Sequence, residues 1–337
     1  MHPAHFVFSL LLASSTLLCA QQNPPVAANK GKPLVAEADR QKPWPLASTK
    51  LPAFPALPAG RQVDGGLCHE VELTSPRGAA KVWIYVPKDA APKSAPCVLM
   101  APAGSNMLFG MTLGDGDRKE HLPWLAAGFV VVAYEIDGVM PPDDQQTDEN
   151  VLRQLRLYTE SCAGMLNART ALEYALANVP AVDPGKLFAA GHSSAATTAL
   201  LFAAHEPRLR GVAAFMPCAD VPKRIPEENQ KQLEQDFSGY RNFLARSSPH
   251  SHVAALAKMP LFVFAAEDDD NTPFADHKAF VEQLRGAKAN VAFEHVPTGG
   301  HYKAMLDPGL GKAIAWAKQL LAAAPAKAPA PTPGKKY

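Results

Sequence analysis

The sequence has almost no net charge: 33 Lys and Arg stand against 32 Asp and Glu, leaving +1 over 337 residues. No basic run interleaves aromatics either, so nothing points to a nucleic-acid partner. Long apolar runs are scarce. The one at the N-terminus, Phe6 to Leu18, is too short to span a bilayer comfortably. It ends in Cys19-Ala20 and fits a secretory signal over residues 1–20, cleaved after Ala20. Cys19 invites a lipid anchor, but Leu18 stands where lipoprotein signals carry a small residue. The expectation is therefore a secreted or periplasmic chain with no spanning segment after cleavage. Cysteine is sparse as well. The four that survive cleavage, Cys68, Cys97, Cys162 and Cys218, allow three pairings in an oxidising compartment. Cys97 lies in an expected core strand and Cys162 on the apolar face of an expected helix, which favours free buried thiols. No repeat of fixed period is visible.

Proline, by contrast, is abundant, with 32 residues. It clusters in residues 21–60, with Pro24-Pro25, Pro43-Trp44-Pro45, Pro52, Pro55 and Pro58, and again in residues 324–337. Such stretches cannot keep a hydrogen-bonded ladder and read as a disordered linker and tail. Residues 61–323 between them suffice for one domain with a large core.

Within that span, Val71–Thr74 and Lys81–Val86 alternate around Pro76-Arg77-Gly78 and predict an antiparallel hairpin. Continuous apolar runs follow at Cys97–Ala101, Phe129–Tyr134, Lys186–Ala190, Gly211–Met216, Leu261–Ala265 and Val291–His295, as expected of strands covered on both faces. Helical patterns lie between them: Leu122–Ala127, one long helix over Val151–Val179, Ala195–Ala204, Phe274–Leu284 and Leu310–Leu321. A hairpin followed by alternating β and α units predicts an α/β fold with a mostly parallel eight-stranded sheet and helices on both faces. The polar insertion Asp220–Arg246 is a possible short lid. In such sheets the ligand site lies at the carboxyl ends of the strands.

Three loops at those ends carry what nucleophilic acyl transfer requires. Gly191-His192-Ser193-Ser194-Ala195 places a serine at a tight strand-to-helix turn, with small residues two before and two after it. Asp268-Asp269-Asp270 follows the Leu261 strand, and His301 follows Gly299-Gly300 after the last strand. A serine hydroxyl needs a base to take its proton and a carboxylate to orient that base. Ser193, His301 and one of the aspartates can fill those roles. Asp269 is the first choice, because Ala265 ends the apolar run and the loop must turn before presenting a carboxylate to His301, with Asp270 the runner-up and Asp268 third. The oxyanion would be met by the backbone N–H of Ser194 and by one from the loop Ala101-Pro102-Ala103-Gly104-Ser105. Pro102 has no N–H, so Ala103 comes first and Gly104 second.

With the chain order Ser, Asp, His, the sequence resembles an α/β-hydrolase. Its last third is similar to the catalytic domain of prolyl-oligopeptidase-type serine hydrolases and dienelactone-hydrolase-like esterases. Ser248-Pro249, the Pro-led strand Pro260–Ala265, the acid loop ending in Pro273, and Gly300-His301 carry the likeness. Ala265-Ala266 departs from the His-Gly that the family often has there. Ala195 departs from the second glycine. The resemblance implies an exported serine hydrolase that cleaves a carboxylic ester or a short peptide through an acyl-enzyme, with no cofactor and no metal. The segment before the hydrolase is too short for a propeller domain, which tips the expectation towards esters. A small peptidase is the first alternative and a catalytically silent binding protein of the same fold the second.

Other residues are weaker candidates. His192 is expected to be a wall residue. His250-Ser251-His252 has too few ligands for a metal, and Asp143-Asp144 with Asp148-Glu149 reads as a solvated face. Asp268–Asp270 lacks the alternating oxygens and the glycine of a calcium loop.

Overall fold

A computed structural model describes residues 33–323. The expected signal segment 1–20, the first part of the expected linker, Cys19 and the tail 324–337 lie outside the described residues.

Among the described residues, nine strands form one sheet: β1 (Arg61–Val63), β2 (Gly66–Thr74), β3 (Ala79–Pro87), β4 (Ala95–Met100), β5 (Val130–Tyr134), β6 (Val182–His192), β7 (Leu209–Phe215), β8 (Leu261–Ala266) and β9 (Val291–Val296). Their order is β1-β2-β3-β5-β4-β6-β7-β8-β9. The first pairings are antiparallel, through β3 with β5, and from β5 to β9 every pairing is parallel. The sheet thus has one strand more than the eight expected. The extra strand, Arg-Gln-Val at the edge, is three residues long and partly exposed, too short to show an alternation in sequence. The central strands β4, β5 and β8 are buried along nearly their whole length, which is why they read as unbroken apolar runs.

Helices of seven residues or more are α1 (Arg118–Ala126), α2 (Asp148–Glu160), α3 (Met165–Asn178), α4 (Ser194–His205), α5 (Glu227–Asp236), α6 (Tyr240–Arg246), α7 (Phe274–Gly286) and α8 (Leu310–Ala322). The single long helix expected over Val151–Val179 is two helices. Cys162, Ala163 and Gly164 all take positive φ (59°, 55° and 83°) and turn the chain between α2 and α3. Apolar residues on both sides keep near-helical spacing across this break, so periodicity alone could not show it. Cys162 therefore sits in the turn and not on a helix face. Among the described residues, Cys68, Cys97, Cys162 and Cys218 are free thiols.

The expected linker behaves differently over its described part, residues 33–60. Its prolines do prevent a ladder, but its carbonyls and apolar side chains are used by the domain. Arg169 donates to the carbonyls of Leu46 and Thr49. Arg246 donates to those of Lys42 and Pro43, and its guanidinium lies 3.8 Å from the Trp44 ring centre. Val35 and Leu46 are buried in the main core, and Phe54 meets Tyr174 edge-on. This strap crosses the α3 and α6 side of the domain. Phe237, Tyr240 and Phe243 of the insertion are core residues beneath it. No helix among the described residues is long and apolar enough to cross a membrane.

Candidate active site

β6 ends at His192, and Ser193 takes φ 54°, ψ −122° before α4 begins. This strained, left-handed turn is possible because the neighbours are small. A Cβ on Gly191 would lie 2.4 Å from the Ala195 carbonyl oxygen, closer than any side chain tolerates, so strand and helix backbones are in contact there. The Ser193 N–H is tied to the Phe215 carbonyl at 2.8 Å, which holds the turn against β7.

β8 delivers the acid loop. The Asp269 side chain is fully enclosed. Its Oδ1 accepts the N–H groups of Asn271 and Thr272 at 2.8 and 2.9 Å. Its Oδ2 accepts the Thr272 hydroxyl at 2.8 Å and His301 Nδ1 at 2.8 Å. Burial alone would raise this carboxyl; the bonds from His301 and Thr272 outweigh it and hold the group at about 2. Asp269 is therefore a carboxylate at neutral pH, and His301 carries its proton on Nδ1. His301 Nε2 is buried without a partner among the described residues, leaving its lone pair free to accept a proton.

The other two aspartates are placed differently. Asp268 accepts the N–H groups of Gly299 and Gly300 at 3.1 and 2.8 Å. It braces the loop whose glycines, at φ 127° and 63°, lead the chain into His301. Asp270 is exposed.

His192 is more than a wall. Its Nε2 lies 2.6 Å from the His301 carbonyl oxygen, and the two rings are 4.6 Å apart. A carbonyl can only accept, so Nε2 carries the proton. Burial, followed by the neighbouring His301, pushes the imidazole down to about 4, so it is neutral at pH 7. Its position beside the serine made it visible in sequence; its bond to a loop 109 residues away did not. Thr272 was likewise hidden inside the acid loop.

On the opposite flank, the loop after β4 meets the start of α4. Ser194 Oγ accepts the N–H groups of Gly104 and Ser105 at 3.1 and 3.0 Å. The second-choice donor, Gly104, is thus committed. The Ala103 N–H makes no hydrogen bond among the described residues. Thr197, one turn into α4, exchanges bonds with the backbone of Cys218 and ties down the loop after β7. His252 donates to the Arg246 carbonyl at 2.7 Å, while His250 lies by Ala219 and Asp220. No group of three or more His, Cys, Asp or Glu among the described residues could hold a metal.

Residues 167–322, which include the elbow, the acid loop and the histidine loop, match the model of the prolyl oligopeptidase family. The chain has the α/β-hydrolase fold. Solved structures share this fold. A puromycin-hydrolysing peptidase of Mycobacterium tuberculosis shares 16% identity at a TM-score of 0.58, covering 75% of this chain and 40% of its own. An acetyl xylan esterase from Paenibacillus sp. R4 shares 14% at a TM-score of 0.58, covering 84% and 99%. An S-formylglutathione hydrolase from Agrobacterium tumefaciens shares 16% at 0.56, covering 79% and 99%. The chain thus spans about 40% of the length of the peptidase and nearly the whole of the other two. Its sequence has no significant match among curated proteins.

Proposed function

We propose that the hydrolase cleaves a carboxylic ester through an acyl-enzyme on Ser193. The observation that carries this reading is His301, held at Nδ1 by the ionised Asp269 with Nε2 unpaired, in a chain whose Ser193 occupies a strained elbow. In the first step Ser193 Oγ bonds to the acyl carbon as its proton passes to His301 Nε2. The bond to the leaving alkoxide then breaks, and His301 returns the proton to that oxygen. Water repeats the sequence and frees Ser193. The N–H groups of Ser194 and Ala103 receive the negative oxygen of each tetrahedral intermediate. Asp269 holds the imidazole in one tautomer, and Asp268 and His192 fix the loop that carries it.

Esters are favoured over peptides because an alkoxide leaves more readily than an amine. The structures matched almost end to end, an acetyl xylan esterase and an S-formylglutathione hydrolase, support the same choice. A fluorophosphonate probe should label the native chain and not Ser193→Ala, and a panel of activated esters and aminoacyl amides should show the esters turned over faster. Equal labelling of both proteins would sink the nucleophile, and faster amides would make the enzyme a peptidase. Export is inferred from the run Phe6–Leu18. N-terminal sequencing of cell-derived protein should begin at or near Gln21; an intact Met1 in a soluble cytoplasmic fraction would overturn it.

A further inference from the structure

The acid loop is tied down from two sides. Its first half leans on the last strand and the histidine loop. The Glu267 N–H donates to the Val296 carbonyl at 2.9 Å, and Asp268 accepts from Gly299 and Gly300. Its second half is met by the insertion. Arg224 donates to the Asn271 backbone carbonyl and, at 2.7 Å, to Asn271 Oδ1. Among the described residues, the hydrogen bonds of Arg224 all go to Asn271.

The carbonyl of Asn271 and the N–H of Thr272 belong to one planar peptide and point opposite ways. A guanidinium on that carbonyl therefore aims the N–H at Asp269 Oδ1, which accepts it at 2.9 Å. The cation also polarises the peptide and strengthens its N–H as a donor. The Thr272 hydroxyl, carried by the same segment, donates to Asp269 Oδ2, the oxygen that accepts His301 Nδ1. Fixing Asn271 thus fixes donors to both oxygens of the acid. The arm that reaches Asn271 is itself anchored. Arg224 ends one turn of 3-10 helix, Val221–Arg224. Val221 belongs to the main core, and its N–H donates to Ser248 Oγ at 3.0 Å. From α5, Gln230 donates to the carbonyls of Pro222 and Ile225 at 2.9 and 2.8 Å. At the far end of the insertion, Arg246 ties α6 to the strap. A segment held at so many points is built as a brace and not as a lid that swings.

We propose that Arg224 is a positioning residue for the triad acid and that the insertion is the brace that carries it. The inference rests on Asp269 and His301 serving Ser193, and the test separates the two. The full chain, Arg224→Ala and Arg224→Lys are assayed with p-nitrophenyl acetate, with fluorophosphonate labelling in parallel and urea midpoints to check folding. For Arg224→Ala, kcat is expected to fall about tenfold with KM within about twofold of wild type, and labelling should slow by the same factor. Arg224→Lys keeps the charge but loses the two-pronged fork, and should recover only part of the loss. Arg224 is exposed and lines a cleft of about 260 Å³, so added methylguanidine can reach its place. It should restore much of the lost kcat to Arg224→Ala, and methylamine should not. Asn271→Ala should add little on top of Arg224→Ala, since both cut the same contact. A folded Arg224→Ala with wild-type kcat overturns the proposal, and so does a loss that methylguanidine leaves unrepaired. In either case normal labelling of the native chain leaves the nucleophile standing. A native chain that neither labels nor turns over the ester overturns the proposal together with the reading beneath it.

Discussion

Three adjacent carboxylates, Asp268, Asp269 and Asp270, have three different environments, and their substitutions should separate accordingly. Asp269→Asn replaces the acceptor for His301 Nδ1 with an amide that favours the wrong imidazole tautomer. kcat should fall by roughly two to four orders of magnitude. Asp268→Asn keeps one acceptor oxygen for the N–H groups of Gly299 and Gly300 and should cost much less, mainly in the order of the histidine loop. Asp270→Asn, on an exposed side chain, should leave kcat near wild type. Steady-state kinetics on the three variants, each checked for folding by circular dichroism, reads this directly; a near-wild-type Asp269→Asn would move the acid to a neighbour. The sequence could narrow the acid to this triplet because it follows an apolar strand and precedes a proline. It ranks Asp269 first, but the contact with His301 itself depends on how the loop turns between Ala266 and Pro273. His192 was legible only as a neighbour of Ser193, because its partner is a backbone carbonyl with no signature in sequence.

At the level of elements, the strap over residues 33–60 makes the most specific prediction. Arg246 is buried beside Trp44, with the carbonyls of Lys42 and Pro43 as its acceptors. Arg246→Ala leaves those carbonyls unpaired and removes the stacked guanidinium, and should destabilise the domain by about 2–4 kcal/mol. Trp44→Ala removes the aromatic face and its contact with Phe243, and should cost about 2–3 kcal/mol. Urea denaturation gives both values, and limited proteolysis should find new cuts within residues 33–49. Unchanged midpoints and an unchanged digest would mean that the strap contributes nothing. The prolines that suggest a linker in the sequence do forbid regular structure. They do not forbid packing, and the donors that hold the strap come from helices more than a hundred residues away. The break between α2 and α3 leaves no mark in the sequence for a related reason: the turn residues Ser161, Cys162 and Ala163 include no proline, and one glycine is a weak stop signal. The strands of the parallel sheet were clear, because burial on both faces demands runs such as Leu261–Ala266 that few other structures tolerate.

For the molecule as a whole, the dependence of stability on pH should bear the mark of Glu120. This carboxyl on α1 is 5% exposed and is pushed up to about 8, by burial first and then by nearby Asp117. In the unfolded chain it titrates at its ordinary value of 4.5. Between those two values the folded state holds more protons than the unfolded one, so this group's contribution to stability falls as pH rises through the window. Glu120→Gln removes that slope. Relative to wild type, the variant should gain stability on the order of a few kcal/mol between pH 5 and pH 9. Urea unfolding at both pH values tests this; an equal difference at both would refute it. Sequence by itself determined the class of fold, the succession of its eight longer strands, and the loops in which Ser193, the aspartates and His301 fall. It could do so because hydrophobic periodicity and turn chemistry are local properties of the chain. Tertiary structure alone decided that Asp269 meets His301, that Gly104 spends its N–H on Ser194, that the strap closes over α3 and α6, and that Glu120 is buried. Each of these is set by distances between segments far apart in the chain, and no local pattern encodes such a distance.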